Sequence, residues 1–236
     1  MAQAFVCIRA DLVGSRKTGE ASKLPETVEV LNQKASEDVL IPFTLRAGDE
    51  LFAVYGNIQA GYRAFRCLHS QAKAAQLRFY VGLGIGGIES ENRGEAERIN
   101  GEAIWRASDA LEELKREPNS EVLKVIAKAR FHYNIYASNN HDLNLGLVTY
   151  LYFIMQRIEA RTPQQTRAIQ LLEEHPDWNN AQLYWTVSGT NESQVPAAYA
   201  TANFSKLLAR ADYHFIREAE KNLIFLIEVL SEEHVA

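Results

Sequence analysis

Asp11 closes an apolar run near the start of the chain, and Asp49 stands between two further apolar runs with Glu50 directly after it. Acids at the ends of neighbouring strands can converge on one hard divalent cation. Mg²⁺ suits such a set, because it takes one or two carboxylates, keeps several waters and fills the rest of its shell with phosphate oxygens. A pair of ions held this way would stabilise the attacking and leaving oxygens of a phosphoryl or nucleotidyl transfer. The expected metal ligands are Asp11 and Asp49, with Glu50 as a third. Gly14, Ser15 and Arg16 after the first acid, and Gly48 before the second, offer a nucleotide phosphate a close backbone approach, a hydroxyl and a bidentate guanidinium. A plainer account fits the same residues: Gly48-Asp49 as a tight turn, Asp11 as a strand terminator, and Ser15-Arg16-Lys17 as a solvated loop.

A second constellation is basic. Lys206, Arg210, His214, Arg217 and Lys221 recur at three- and four-residue steps and would form one stripe on a long helix. Such a stripe can meet DNA phosphates, with Asn203 and Ser205 at its start reaching base edges. Asp212, Glu218 and Glu220 lie close by, and a mixed-charge stripe is equally the wet face of an amphipathic helix.

Other residue types carry less. The glycines at 82, 84, 86 and 87 lack the lysine and spacing of a phosphate loop and read as strand glycines packed against a helix. The six histidines show no ligand spacing. Cys7 and Cys67 have no C-x-x-C partner and read as reduced core residues.

The elements that must position these groups follow from periodicity. Ala4 to Ala10 reads as a buried strand, and Leu24, Val28, Leu31 and Ala35 fall at helical spacing behind Pro25. Leu40 to Ala47 and Leu51 to Tyr55, parted by Gly48-Asp49-Glu50, read as a hairpin. A helix over Ile58 to Ala72, a strand region over Leu77 to Ile88, a helix over Ile99 to Leu114 and a strand from Phe131 to Tyr136 complete the order. The expected class is α+β, a ferredoxin-like β-α-β-β-α-β domain over residues 1–138. Residues 139–236 read as wholly helical: one face over Leu143 to Ile158, a helix opened by Thr162-Pro163, a short one from Asn180 to Val187, and one long helix from Thr201 to Leu230.

The formal net charge is −5 over 236 residues. From Asn139 onward there are 7 Lys and Arg against 12 Asp and Glu, so that half carries the whole excess. A nucleic-acid module normally advertises itself by positive charge, and this region does not do so in bulk. No run approaches the roughly 18 apolar residues of a membrane span, and Met1 to Arg9 is unlike a signal peptide, so a cytoplasmic protein with no membrane partner is expected.

The stretch Leu45-Arg46-Ala47-Gly48-Asp49-Glu50-Leu51-Phe52-Ala53-Val54 resembles the signature hairpin of GGDEF diguanylate cyclases, with Ala47 in place of the first glycine. Asp11 occupies the matching first-strand position of that superfamily and of the class III nucleotidyl cyclases. A closer resemblance is to the SatD family, through Asp11-Leu12-Val13-Gly14-Ser15-Arg16, Gly48-Asp49-Glu50-Leu51, Gly82-Leu83-Gly84-Ile85-Gly86, Thr162-Pro163-Gln164-Gln165 and Ala202 to Leu208. It implies a palm-type domain followed by a helix-turn-helix. Gly101 to Asp109 resembles in outline the stretch that supplies an Asn and an Arg to class III cyclases, but Trp105 and Asp109 stand in those places. An indole cannot accept a hydrogen bond and an aspartate repels phosphate, so ordinary cyclase chemistry is not expected.

The leading expectation is therefore a regulatory protein that binds a nucleotide or cyclic nucleotide with Mg²⁺ and is coupled to a helical region contacting duplex DNA or a partner. The alternatives are a nucleotidyl transferase using two-metal catalysis, or an inactive interaction scaffold. A homodimer through the long last helix is compatible with each.

Overall fold

The computed structural model describes residues 3–15, 19–34, 38–89, 96 and 98–232. It is a mixed α and β structure that divides into two compact units, Met1–Tyr152 with Leu223–Ala236, and Phe153–Asn222. The expected boundary lay after residue 138; the division falls inside the helix His141–Glu159.

In the first unit the elements run β1 (Phe5–Leu12), α1 (Leu24–Gln33), β2 (Val39–Arg46), β3 (Glu50–Tyr55), α2 (Ile58–Ala75), β4 (Phe79–Gly86), α3 (Glu102–Lys115), α4 (Glu121–Lys128) and β5 (Tyr133–Tyr136). The five strands form one sheet in the order β2-β3-β1-β4-β5. β1 pairs antiparallel with β3 and β4, β2 pairs antiparallel with β3, and β5 joins β4 in parallel.

Register decides which residues share a face. Cys7 lies opposite Val54 and Gly84, Arg9 opposite Phe52 and Gly82, and Asp11 opposite Glu50 and Tyr80. Because strand side chains alternate, Cys7, Arg9 and Asp11 stand on one face and Val6, Ile8, Ala10 and Leu12 on the other. The second face is covered by α2, whose Gly61 lies so close to Val6 that a Cβ there would collide with it.

The first face receives α3. A Cβ on Gly84 would run into the Ala103 carbonyl and the Ala107 amide, and one on Gly82 into the Ala107 carbonyl and the Leu111 amide. Strand and helix therefore meet backbone to backbone, as read from the sequence, and small residues on both sides make the approach. Around this seam Phe5, Cys7, Ile41, Phe52, Val54, Ile88, Ile99, Ala103, Ile104 and Ala107 form a dry cluster. Buried Asn134 of β5 donates to the Ala110 carbonyl (3.2 Å) and to Glu113 Oε2 (2.8 Å), which ties the edge strand to the same helix.

The helix α4 was not anticipated. Its local signal is Ser120, whose Oγ caps the Leu123 amide (3.2 Å), ahead of buried Leu123 and Ile126 three residues apart.

Next come α5 (His141–Glu159), α6 (Pro163–Glu174), α7 (Asn180–Ser188), α8 (Ala197–Arg210) and α9 (Tyr213–Glu232). Thr162 and Gln165 form a capping box at the start of α6, and Asn179 and Gln182 form another at α7. Ala168, Ile169, Leu171, Leu183, Phe204, Leu208, Ala211 and Tyr213 make the core of the second unit. The Trp185 Nε1–H donates to the Val195 carbonyl (2.9 Å) and pins the turn between α7 and α8.

The single long helix expected over Thr201 to Leu230 is corrected to two. Asp212 adopts a left-handed conformation (φ 51°), which ends α8. Asp tolerates that region better than most residues. Its carboxylate accepts from Arg157 Nη1 at 2.6 Å, and its carbonyl accepts from the Ile216 amide at 2.8 Å to open α9. Among the described residues no helix is long and apolar enough to cross a membrane.

Candidate functional site

The antiparallel pairing of β1 with β3 sets Asp11 directly across from Glu50. One step further, the Leu12 amide donates to the Asp49 carbonyl at 3.2 Å, so the tip of the β2–β3 hairpin lies against the end of β1. The hairpin turns through Ala47 (φ 49°) and Gly48 (φ 89°), where glycine is the residue that adopts a positive φ without strain. Asp11, Asp49 and Glu50 are thereby brought to one end of the sheet, and Asp11 shares a face with the strand glycines beneath α3.

Each of the three acids has its own donor. Lys115 Nζ, from the last residue of α3, lies 2.7 Å from Asp11 Oδ2. Ser15 Oγ donates to Asp49 Oδ2 at 2.6 Å. Arg9 grips Glu50 with two contacts, Nε to Oε1 at 2.9 Å and Nη2 to Oε2 at 2.7 Å, while its Nη1 donates to Ser108 Oγ of α3. Burial lowers the Arg9 pKa, but the hydrogen bond and charge of Glu50 more than reverse this, so the guanidinium stays charged. Ser108 and Lys115 are seven residues apart on α3 and so share a helical face, which is why one helix serves both Arg9 and Asp11. Beside them Arg46 lays its guanidinium over the Phe52 ring, 3.3 Å from the centroid.

Buried Cys7 lies two residues from Arg9 on the same face. Burial raises its thiol pKa far above the ordinary range, against smaller opposing effects of Arg9 and Arg46, so it is a packing residue and not a nucleophile.

Asp11 and Asp49 fit a hard cation by residue type. Glu50 fits it less well, since both of its carboxylate oxygens are already bound to Arg9. Among the described residues no group of three His, Cys, Asp or Glu is gathered closely enough to hold an ion on its own. Of the expected nucleotide contacts, Ser15 is half-buried and bonded to Asp49, Gly14 and Gly48 are exposed turn residues, and Arg16 lies outside the described residues. Trp105, at 54% exposure, and Asp109 point outward from α3.

The basic stripe is corrected by the break at Asp212: Lys206 and Arg210 belong to α8, whereas His214, Arg217 and Lys221 belong to α9. Arg217 Nη1 donates to Tyr213 Oη at 3.1 Å and its guanidinium stands 5.5 Å from that ring. Lys221 pairs with Glu218 at 2.7 Å. Asn203 and Ser205 are also engaged internally: Asn203 Nδ2 donates to Tyr184 Oη at 3.5 Å, and Ser205 Oγ donates to the Thr201 carbonyl at 3.0 Å. What is left is α8 itself, a 14-residue helix without a carboxylate, with Lys206 and Arg210 exposed and four residues apart.

Three residues of the acid cluster, Arg9, Ser108 and Lys115, were not anticipated. Arg9 had a visible signal, a full charge inside an otherwise apolar strand run. Ser108 and Lys115 had none, because their partners are set by how α3 crosses β1. Compared with known proteins, the chain matches no protein-family model and no curated protein sequence.

Proposed function

We propose that the first unit is a ferredoxin-like, palm-type domain of SatD-like and cyclase-like kind that binds a nucleotide or cyclic nucleotide together with Mg²⁺. In this reading the helical region is a helix-turn-helix that contacts duplex DNA, which makes the protein regulatory. The observation that carries the nucleotide part is the pairing of β1 with the hairpin, which brings Asp11 and Asp49 to one end of the sheet. The order β2-β3-β1-β4, antiparallel throughout, supports the palm assignment, with β5 as an added edge strand.

Asp11 and Asp49 would hold the ion, and bound Mg²⁺ would draw charge from the phosphate oxygens it shares with them. Ser15 orients Asp49, Arg9 fixes Glu50 and Ser108, and Arg46 presents a cation at the root of the hairpin. The outward Trp105 and Asp109 supply neither an acceptor-bearing amide nor a cation, which favours binding over cyclisation. For the helical region, the support is α8, free of acids in a surrounding stretch that is acidic in bulk.

The test is calorimetric titration of the full chain with nucleoside triphosphates in Mg²⁺, compared with Asp49→Asn. The variant is expected to fold normally, because a turn side chain carries little packing energy, and to lose Mg²⁺-dependent affinity. Equal affinity in both proteins removes Asp49 from the site.

A further inference from the structure

Four of the ten large apolar side chains that stand exposed among the described residues belong to the one 20-residue helix α9: Phe215, Phe225, Leu226 and Val229. Single exposed hydrophobics are ordinary, but Phe225 at 60%, Leu226 at 43% and Val229 at 38% fall on adjoining turns of one side. The inward side of the helix is supplied by buried Ile216, Ala219, Leu223 and Ile227, at three- and four-residue steps. The core therefore makes no demand for the outer three.

Charge along that outer side changes sign at the same place. Exposed Arg217 and Lys221 precede Phe225 and exposed Glu228 follows it, all four within about a quarter of the helix circumference. In the sequence a further acid, Glu232, comes four residues after Glu228. Glu218 lies on the same side, paired with Lys221 at 2.7 Å, whereas Glu220 lies outside the strip.

We propose that this strip of α9 binds the same strip of a second copy of the chain, the two helices running antiparallel, with Phe225, Leu226 and Val229 at the centre and Lys221 of each copy against Glu228 of the other. Symmetry sets the register. Lys221 and Glu228 lie equally far from the point between Ile224 and Phe225, so a two-fold axis there brings each onto the other and makes the contact twice. A parallel pair would set lysine on lysine and glutamate on glutamate. The bond from Lys221 to Glu218 is no obstacle, since both side chains are more than half exposed, such a pair has little net worth, and an ammonium has donors for two carboxylates. A nucleic acid fits the strip worse, because Glu218 and Glu228 would face its phosphates. A helix of 20 residues is about 30 Å long and about 10 Å across. That puts the contact at the small end of specific interfaces, so the dimer is weak and depends on concentration.

The experiment is sedimentation equilibrium of the full chain at concentrations up to about 100 µM, where a contact of this size is populated. Wild type is expected to show a monomer–dimer equilibrium. Phe225→Glu with Val229→Glu should abolish it while leaving the urea midpoint close to wild type, since both side chains are exposed. Lys221→Glu alone and Glu228→Lys alone should each weaken association about tenfold, because each turns two attractive contacts into repulsive ones. Mixing these two single variants should restore association near the wild-type level, since each then supplies the charge that the other lacks. A chain that stays monomeric throughout, a dimer indifferent to Phe225→Glu with Val229→Glu, or a mixture that associates no better than either single variant overturns the proposal.

Discussion

The acid cluster at the end of β1 and the basic face of α8 treat charge in opposite ways. In the cluster each carboxylate is met by its own donor, Lys115, Ser15 or Arg9, and the framework beneath is a sheet and helix in backbone contact. On α8, Lys206 and Arg210 are exposed on a helix that carries no acid, over an ordinary side-chain core. Carboxylates that each have a fixed partner suit a site for small ions, where a misplaced ångström changes the coordination. Unmatched charges on a helix surface suit a long polyanion, whose condensed counterions are released on contact and which needs no fixed geometry from any one side chain.

The comparison breaks most severely if the rigid frame is disturbed. Gly84→Ala should cost about 3 kcal/mol or more, because the added methyl meets backbone atoms of Ala103 and Ala107, which cannot rotate away. A urea midpoint close to wild type would mean that α3 rides more loosely on the sheet than its glycines imply.

Acid should bear on the sheet unit next. His69 is buried, bonded through Nδ1 to Tyr133 Oη at 2.8 Å, and held mainly by burial, with help from the Arg66 and Lys73 charges, at a pKa of about 4 against an ordinary 6.5. Its folded-state pKa is the lower one, so the unfolded chain binds the proton first and stability drains away as pH falls from about 6.5 toward 4. Between pH 7 and pH 5 the loss should be about 2 kcal/mol. Substituting Phe for His69 should flatten that pH dependence in chemical denaturation, and an unchanged slope would assign it to other groups.

The smallest effect on stability, and the most selective for binding, is expected on α8. Lys206→Ala with Arg210→Ala should shift stability by no more than about 0.5 kcal/mol, since both side chains are exposed. If α8 meets DNA, the slope of log affinity against log salt should flatten by about 0.9 for each lost phosphate contact, about 1.8 for the pair. Fluorescence anisotropy with a labelled duplex over a salt series measures this. An unaltered slope, or no binding by wild type at low salt, leaves the unmatched charges as a solvated surface.

The sheet was largely legible because its strands are short apolar runs punctuated by turn chemistry, Gly48-Asp49 above all, and because the strand glycines imply a close neighbour. Pairing of β1 with the hairpin, which puts Asp11 across from Glu50, followed from that order. Less legible was anything depending on a crossing angle. Lys115 carried no signal of its partner, since helical period gives the face a residue occupies and not the strand it reaches.

The break at Asp212 was hidden for a different reason. Phe204, Leu208, Ala211, Phe215 and Ala219 keep helical spacing straight through it, and only a backbone dihedral interrupts them. The basic stripe read across that point joined two helices, and two of its five residues, Arg217 and Lys221, are engaged within α9.

The glycine seam under α3 also sets a mechanical tolerance. Ala107, pressed on Gly84, acts as a fulcrum, and Lys115 lies eight residues beyond it, about 12 Å along the helix axis at 1.5 Å per residue. Over such a lever arm, rocking α3 by about 10° would carry the base of Lys115 by about 2 Å, which is comparable with the 2.7 Å separation of its ammonium from Asp11. Angular play at two strand glycines is thus converted into the making or breaking of an ionic contact at the far end of the helix, so the stiffness of the seam decides how sharply that contact can be set.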